Sequence, residues 1–255
     1  MTPTIFVAHG SPLLLDDAEW VFQLQAWARS LPEPSAILIV SAHWQQSPIS
    51  VGATQPVPLV YDFTGFEDRH YGVKYAAPGA PELASRVAGL LGTTRGVWQA
   101  PERGLDHGAY VPLVAMYPRA DVPVLQLSLP SEDPDDLYAL GRELAPLRDE
   151  GVLVAGSGFL THNLATVDFR PDAPTPSWAR AFDNWVAETL EAGNVKALLD
   201  YERLAPGVRQ VLPTREHLMP LFVALGAAGE DVRNVSFPVQ GFSMGSFSKR
   251  SVQFG

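Results

Sequence analysis

The stretch ILIVSAHWQQSP, from Ile37 to Pro48, opens as a run of apolar β-formers and then releases a histidine and a tryptophan at its end. A strand with no polar alternation is covered on both faces, which places it inside a sheet rather than at its rim. Working outward, segments of the same kind recur. Short apolar strands are expected at Thr4–Ala8, Ala36–Ser41, Pro48–Ala53, Pro123–Leu129, Val152–Ala155, Val232–Ser236 and Gly241–Phe247. Between them lie helical patterns at Asp16–Ser30, Ala80–Leu91, Asp133–Arg148, Ser177–Ala192, Val195–Asp200 and Thr214–Leu225. Trp20, Leu24 and Trp27 show the three-and-four spacing of a helix packed along one face. Alternation of this kind gives the α/β class: one domain over residues 1–255, with a central sheet flanked by helices.

Composition narrows the partners. Lys plus Arg number 18 against 28 Asp plus Glu, a formal charge of −10, so nothing supplies the counterion release on which nucleic-acid binding depends. There are no cysteines, which removes disulfides, thiolate zinc sites and cysteine nucleophiles, and leaves nitrogen and oxygen as the donors for any metal. No run approaches the roughly 20 apolar residues of a membrane span, and no basic region leads an apolar stretch at the start, so a cytoplasmic protein is the expectation. Gln55–Pro81 is rich in proline, glycine and aromatics without periodicity; it is expected to be a lid or binding loop.

The six histidines carry the chemical information. Five sit at strand ends or turns: His9 in VAHGSP, His43 in VSAHW, His107 in GLDHGAY, His162 in GSGFLTHNL and His217 in PTREHLMP. In open α/β sheets the ligand crevice lies outside the carboxyl ends of the strands. His9, His43 and His162 each follow an apolar strand and are expected to converge there. His70, in the polar GFEDRHYG, is read as a solvated loop residue, with contact to a mobile lid as the alternative.

HGSP (9–12), SAHW (41–44), YDFTGF (61–66), LDHGAYVPL (105–113), GSGFLTHNL (156–164), PTREHLMPLFVALGA (213–227) and GFSMGSFS (241–248) together resemble the DOPA-dioxygenase-like branch of the class III extradiol ring-cleavage dioxygenases. The resemblance runs through nearly the whole chain in order, and it implies a single α/β domain with a central, mostly mixed sheet. It implies that His9, His43 and His217 are metal ligands, and that His162 is the acid/base residue, able to close on the ion as a fourth ligand when no substrate is present. It makes His107 a second active-site histidine near substrate and dioxygen. Glu216 neighbours His217; on a helix the two point about 100° apart, so only one is expected to face the ion, and His217 is the expected one.

The residue types suit that chemistry. A facial set of protein ligands leaves several positions on one side of the ion for a catechol and dioxygen together, which makes Fe(II) the expected working metal, with Zn(II) expected in purified samples. Trp44, Tyr61 and Phe63 are candidate walls for an aromatic ring, with core packing an equal alternative. Arg215, Lys249 and Arg250 are read as solvated charges, with pairing to a substrate carboxylate as the alternative. Two other readings remain at this level. One is a zinc hydrolase that acidifies bound water; the other is a non-enzymatic binding protein on the same fold. The expected partners are a small catechol and O2.

Overall fold

The computed structural model describes residues 1–170 and 172–255. Ten strands form in chain order: β1 Thr4–Ala8, β2 Ala36–Gln45, β3 Ser50–Val51, β4 Trp98–Gln99, β5 Val124–Leu129, β6 Val152–Gly158, β7 Val235–Val239, β8 Phe242–Ser243, β9 Phe247–Ser248 and β10 Ser251–Phe254. The helices are α1 Ala18–Ser30, α2 Asp68–Tyr71, α3 Pro81–Leu91, α4 His107–Met116, α5 Pro134–Leu144, α6 Ser177–Glu191, α7 Val195–Leu199, α8 Tyr201–Leu204, α9 Val208–Val211 and α10 Met219–Ala228.

Eight strands make one sheet in the order β4-β3-β5-β2-β6-β1-β10-β7. The inner four, β5, β2, β6 and β1, are mutually parallel. Antiparallel pairs flank them, β3 on β5 at one side and β10 on β1 and β7 at the other. The sheet is mixed, as expected. β8 and β9 form a separate hairpin.

The period of two in the strands sorts the core into two layers. Leu38 and Val40 of β2 pack on the α3, α5, α6 and α10 side, whereas Ile37 and Ile39 face α1 and α4. Both faces of the central strands are therefore dry, which is why they read as unbroken apolar runs. No helix among the described residues is long and apolar enough to cross a membrane.

Several elements differ from the sequence expectation. α4 has no amphipathic period because nearly every residue from His107 to Met116 is buried, so periodicity had nothing to detect. β10 is only four residues long and carries a polar Gln253, whose side-chain oxygen accepts from the Trp27 indole at 2.8 Å. The strand expected at 232–236 is shifted to Val235–Val239, and 241–247 is the β8–β9 hairpin instead of one strand. The helix expected from Thr214 begins at Met219. Pro220 suits the first turn of a helix, where no N–H is needed, and so the helix starts beside it. Glu216 and His217 consequently lie on the preceding turn.

Three charged readings are also corrected. Arg250 is buried and forked onto Asp183, with Nη2 2.6 Å from Oδ2, and Lys249 is buried over the Trp20 ring; neither is a solvated charge. His70 is buried with Nε2 2.9 Å from Asp16 Oδ2, a tie between the long loop and the start of α1. Arg215 is exposed and pairs with Glu202, as read.

Glycines fix how closely α10 and its entry turn approach the sheet. A Cβ on Gly156 would overlap the Pro220 carbonyl oxygen, and one on Gly158 would overlap that of His217. Gly158→Ala is expected to cost about 1–3 kcal/mol of stability by displacing this turn. Chemical denaturation measures it, and an unchanged midpoint would show that the approach is not tight.

Candidate metal centre and active site

His9 is the first residue after β1, and its backbone N–H donates to the Gly158 carbonyl at 3.2 Å. His43 lies on the last part of β2, beyond the end of pairing with β6 at Ser41–Ser157 and where the register with β5 shifts. His162 follows β6, its N–H donating to the Val211 carbonyl at 3.0 Å. His107 opens α4 directly after Asp106, whose carboxylate caps the helix by accepting from the Ala109 N–H at 3.1 Å. His217 arrives from the turn before α10. The fold thus brings together all five histidines singled out from the sequence.

Their rings touch. His9 and His43 have centroids 4.9 Å apart, His43 and His107 3.9 Å, and His9 and His217 5.4 Å. His162 stacks on His217 at 3.5 Å, tilted by 10°. Donor atoms of His9, His43 and His107 all lie within 4.8 Å of one another, and so do those of His162, Glu216 and His217.

Outer partners settle which nitrogens face inward. The Ser157 hydroxyl donates to the Gly108 carbonyl, so its oxygen accepts from His9 Nδ1–H at 3.1 Å. His9 Nε2 therefore carries a free lone pair. His217 Nδ1–H donates to Glu216 Oε1 at 2.8 Å, and His217 Nε2 is buried with no partner at all. His43 Nδ1 faces Asp62 Oδ2 at 3.5 Å, and its Nε2 stands 3.2 Å from His9 Nε2. Two nitrogens each about 2.1 Å from one ion and about 100° apart would be separated by about 3.2 Å. The site fits a metal on that observation and on the orphaned His217 nitrogen, and the outer partners hold the rings as in known histidine metal sites. Glu216 holds the neighbouring His217 ring through its Nδ1, an arrangement hidden by the expectation of a helix at that position.

Asp62 is the functional residue that the sequence reading passed over, although it sits in the quoted YDFTGF. One carboxylate oxygen accepts from the His107 backbone N–H at 3.0 Å and from its Nδ1–H at 2.8 Å, while the other faces His43. Burial alone would raise the Asp62 carboxyl, but the hydrogen bonds and charge of His107 outweigh it and bring it down to about 2. Its only signal in the sequence is an acidic residue between two aromatics in an otherwise apolar motif. Gly108 is required by the same packing, since a Cβ there would strike Ser41 Oγ and come within 2.9 Å of the His43 ring.

Burial holds the imidazoles neutral. It pushes His43 down to about 3 and His162 to about 4, and it lowers His9 and His217 well below the usual histidine value, with the neighbouring histidines adding to the effect on His9 and His217. The folded pKa values lie below the unfolded value of about 6.5, so the unfolded chain binds protons that the folded chain refuses. Stability of the metal-free protein is complete above about pH 6.5 and is lost as pH falls, by up to about 1.4 kcal/mol per pH unit for each histidine, until its own folded pKa is passed. Denaturant titrations of chelated protein at pH 7 and pH 5 test this; equal stabilities would contradict it.

A cavity of about 730 Å³ opens onto the histidines, with Phe63, Phe66, Phe159 and Phe247 among its walls. Trp44 is not among them; it is buried, with the Arg103 guanidinium 5.3 Å above its ring. Tyr61 lines a separate cavity, and its hydroxyl donates to the Val73 carbonyl at 2.6 Å. Of the three aromatic walls considered from the sequence, only Phe63 faces the site.

An aromatic-walled cavity ending in neutral imidazoles is the setting of a metal-dependent enzyme acting on a small aromatic molecule. Over residues 4–255 the chain matches the family described as the catalytic LigB subunit of aromatic ring-opening dioxygenase, and it belongs to that family. Among its relatives, the 4,5-DOPA dioxygenase extradiol of Beta vulgaris is 44% identical over 235 residues, covering 89% of this chain and 87% of the relative. The protein of the same name in Escherichia coli is 38% identical over 261 residues, covering 99% and 94%. A crystal structure of an uncharacterized Escherichia coli protein superimposes with a TM-score of 0.85 at 37% identity, covering 100% of both chains. The extradiol ring-cleavage family expected from the ordered motifs is the family found, and the hydrolase and binding-protein readings give way to a dioxygenase.

Proposed function

We propose that this dioxygenase opens the ring of a catechol of DOPA's class beside its diol, using Fe(II) held by His9, His43 and His217. What supports the ligand set is the mutual approach of three rings, with centroids 4.9, 5.0 and 5.4 Å apart, whose Nδ1 sides face Ser157, Asp62 and Glu216. The name shared by the relatives supports the substrate class. One sheet running from Thr4 to Phe254 supports a single catalytic domain over the whole chain.

When bound, ferrous iron supplies a Lewis-acidic, redox-active centre with open positions for both the diol and O2. The protein's own groups do the rest. His162, neutral well below pH 7, is the base that takes a catechol hydroxyl proton and returns it as the O–O bond breaks, with both atoms of O2 kept in the product. Stacked on His217, it would be able to serve as a further ligand to a bound ion when no substrate is present. His107 donates its Nδ1–H to the Asp62 carboxylate, which leaves Nε2 for substrate or oxygen. Phe63, Phe159 and Phe247 hold the ring and keep water out.

Asp62→Asn removes the carboxylate charge and replaces one of the two oxygens facing His43 and His107 with an NH2 donor, and activity is expected to fall about 10–100-fold. Assay at equal iron content checks this, and full activity would show that the contact is incidental. The function itself is tested by oxygen uptake with a panel of catechols after anaerobic Fe(II) loading, beside a zinc-loaded control. Uptake with iron alone and a yellow ring-opened product are expected; no uptake with any catechol at full iron occupancy would overturn the reading.

A further inference from the structure

The loop over residues 53–80 supplies part of the wall of the histidine cavity, through Asp62, Phe63, Thr64 and Phe66. Between Ala53 and Lys74 its only buried residue is His70. Beyond Asp62 and before Pro78, the only hydrogen bonds that join this loop to the rest of the described protein run from Arg69 and His70 to Asp16. Asp16 closes the short 3-10 turn Pro12–Asp16, which follows His9 and contributes Pro12 and Leu13 to the same cavity. The His70–Asp16 bond therefore clasps together two stretches of cavity wall that are 54 residues apart in sequence.

From this clasp a line of ring contacts leads to the chemistry. His70 meets Phe66 edge-on with centroids 5.9 Å apart, Phe66 meets Phe63 at 5.2 Å, and Phe63 stands 5.7 Å from His107 at 88°. Edge-to-face contacts of this kind set ring orientation as well as distance. The other ring nitrogen of His70, Nδ1, is buried with no partner. An apolar anchor of similar size would avoid leaving a buried polar atom unmet. A histidine here is accounted for by the bond its Nε2–H makes to Asp16.

We propose that His70 is a positioning residue: clasped to Asp16, it sets Phe66 and Phe63 so that the catechol ring is held beside His107 and the metal-binding histidines. The proposal rests on the ring-cleavage reading and adds a residue to it. His70 acts through the wall and touches none of the five site histidines, so its loss weakens substrate binding more than the chemical step.

The test measures KM and kcat for DOPA and for catechol itself by oxygen uptake on the iron-loaded full chain, with iron content determined on each sample. His70→Phe keeps a ring against Phe66 but removes the donor, and Asp16→Ala removes the acceptor at a partly exposed position where folding is not at risk. Each is expected to raise KM about tenfold with kcat changed by less than about threefold, the effect of one lost hydrogen bond on binding. The double variant is expected to be no worse than either single one, because both break the same contact. His70→Gln, which restores an N–H donor, is expected to return KM to within about threefold of the unaltered enzyme, and Arg69→Ala, at an exposed residue, to leave it unchanged. Unmoved KM in Asp16→Ala would overturn the proposal while leaving ring cleavage standing. So would a fall in kcat alone, the signature of a smaller folded fraction. No uptake with any catechol by the unaltered enzyme would remove the ring-cleavage reading and this proposal with it.

Discussion

His162→Ala is expected to lower kcat by about 10²–10⁴-fold, the usual contribution of a positioned acid/base group, while the protein still binds iron through His9, His43 and His217. The side chain stacks on His217 and stands on a loop whose backbone is held independently by Val211, so its removal leaves the ligand set in place. The replacement also removes the group whose neutral form persists down to about pH 4. Steady-state oxygen uptake and iron content measured on the same samples separate the two roles. Loss of kcat at unchanged iron supports the assignment; parallel loss of both would make His162 an obligatory ligand, and full activity would remove it from the chemistry.

His217→Ala has the other large effect. Losing a histidine's outer partner costs about 10–100-fold in metal affinity, and here the ligand itself goes, so affinity is expected to fall by more than about 100-fold. Anaerobic metal titration reads this directly, with Glu216→Gln as the milder companion at about 10–100-fold. Circular dichroism guards against unfolding, since His217 is buried against the sheet. Unchanged affinity in the alanine variant would shift the third ligand to His107, whose donor atom groups within 4.8 Å of those of His9 and His43.

Strand ends were the most legible part of this chain. Val40 and Ser41 are followed by a histidine because β2 leaves its pairing with β6 there, and the same logic exposes His9 after β1 and His162 after β6. A residue at a strand end needs only local pattern to be found. α4 was invisible for the opposite reason, since a helix buried all round carries no stripe. The turn at Glu216 and His217 depended on where Pro220 let α10 begin, which hydrophobic spacing does not encode. Asp62 lay beyond reach because its importance comes from His43 and His107, distant in sequence, meeting it in space. Lys249 and Arg250 were misread because their partners, Asp17, Trp20 and Asp183, are likewise far away in the chain.

The most direct test of the central claim follows the oxygen. Iron-loaded enzyme is given a catechol under ¹⁸O2, and the mass of the ring-opened product is measured before its carbonyl exchanges with water. Ring cleavage at this site predicts that both labelled atoms of one O2 molecule appear in the product. A product carrying one label or none would contradict it.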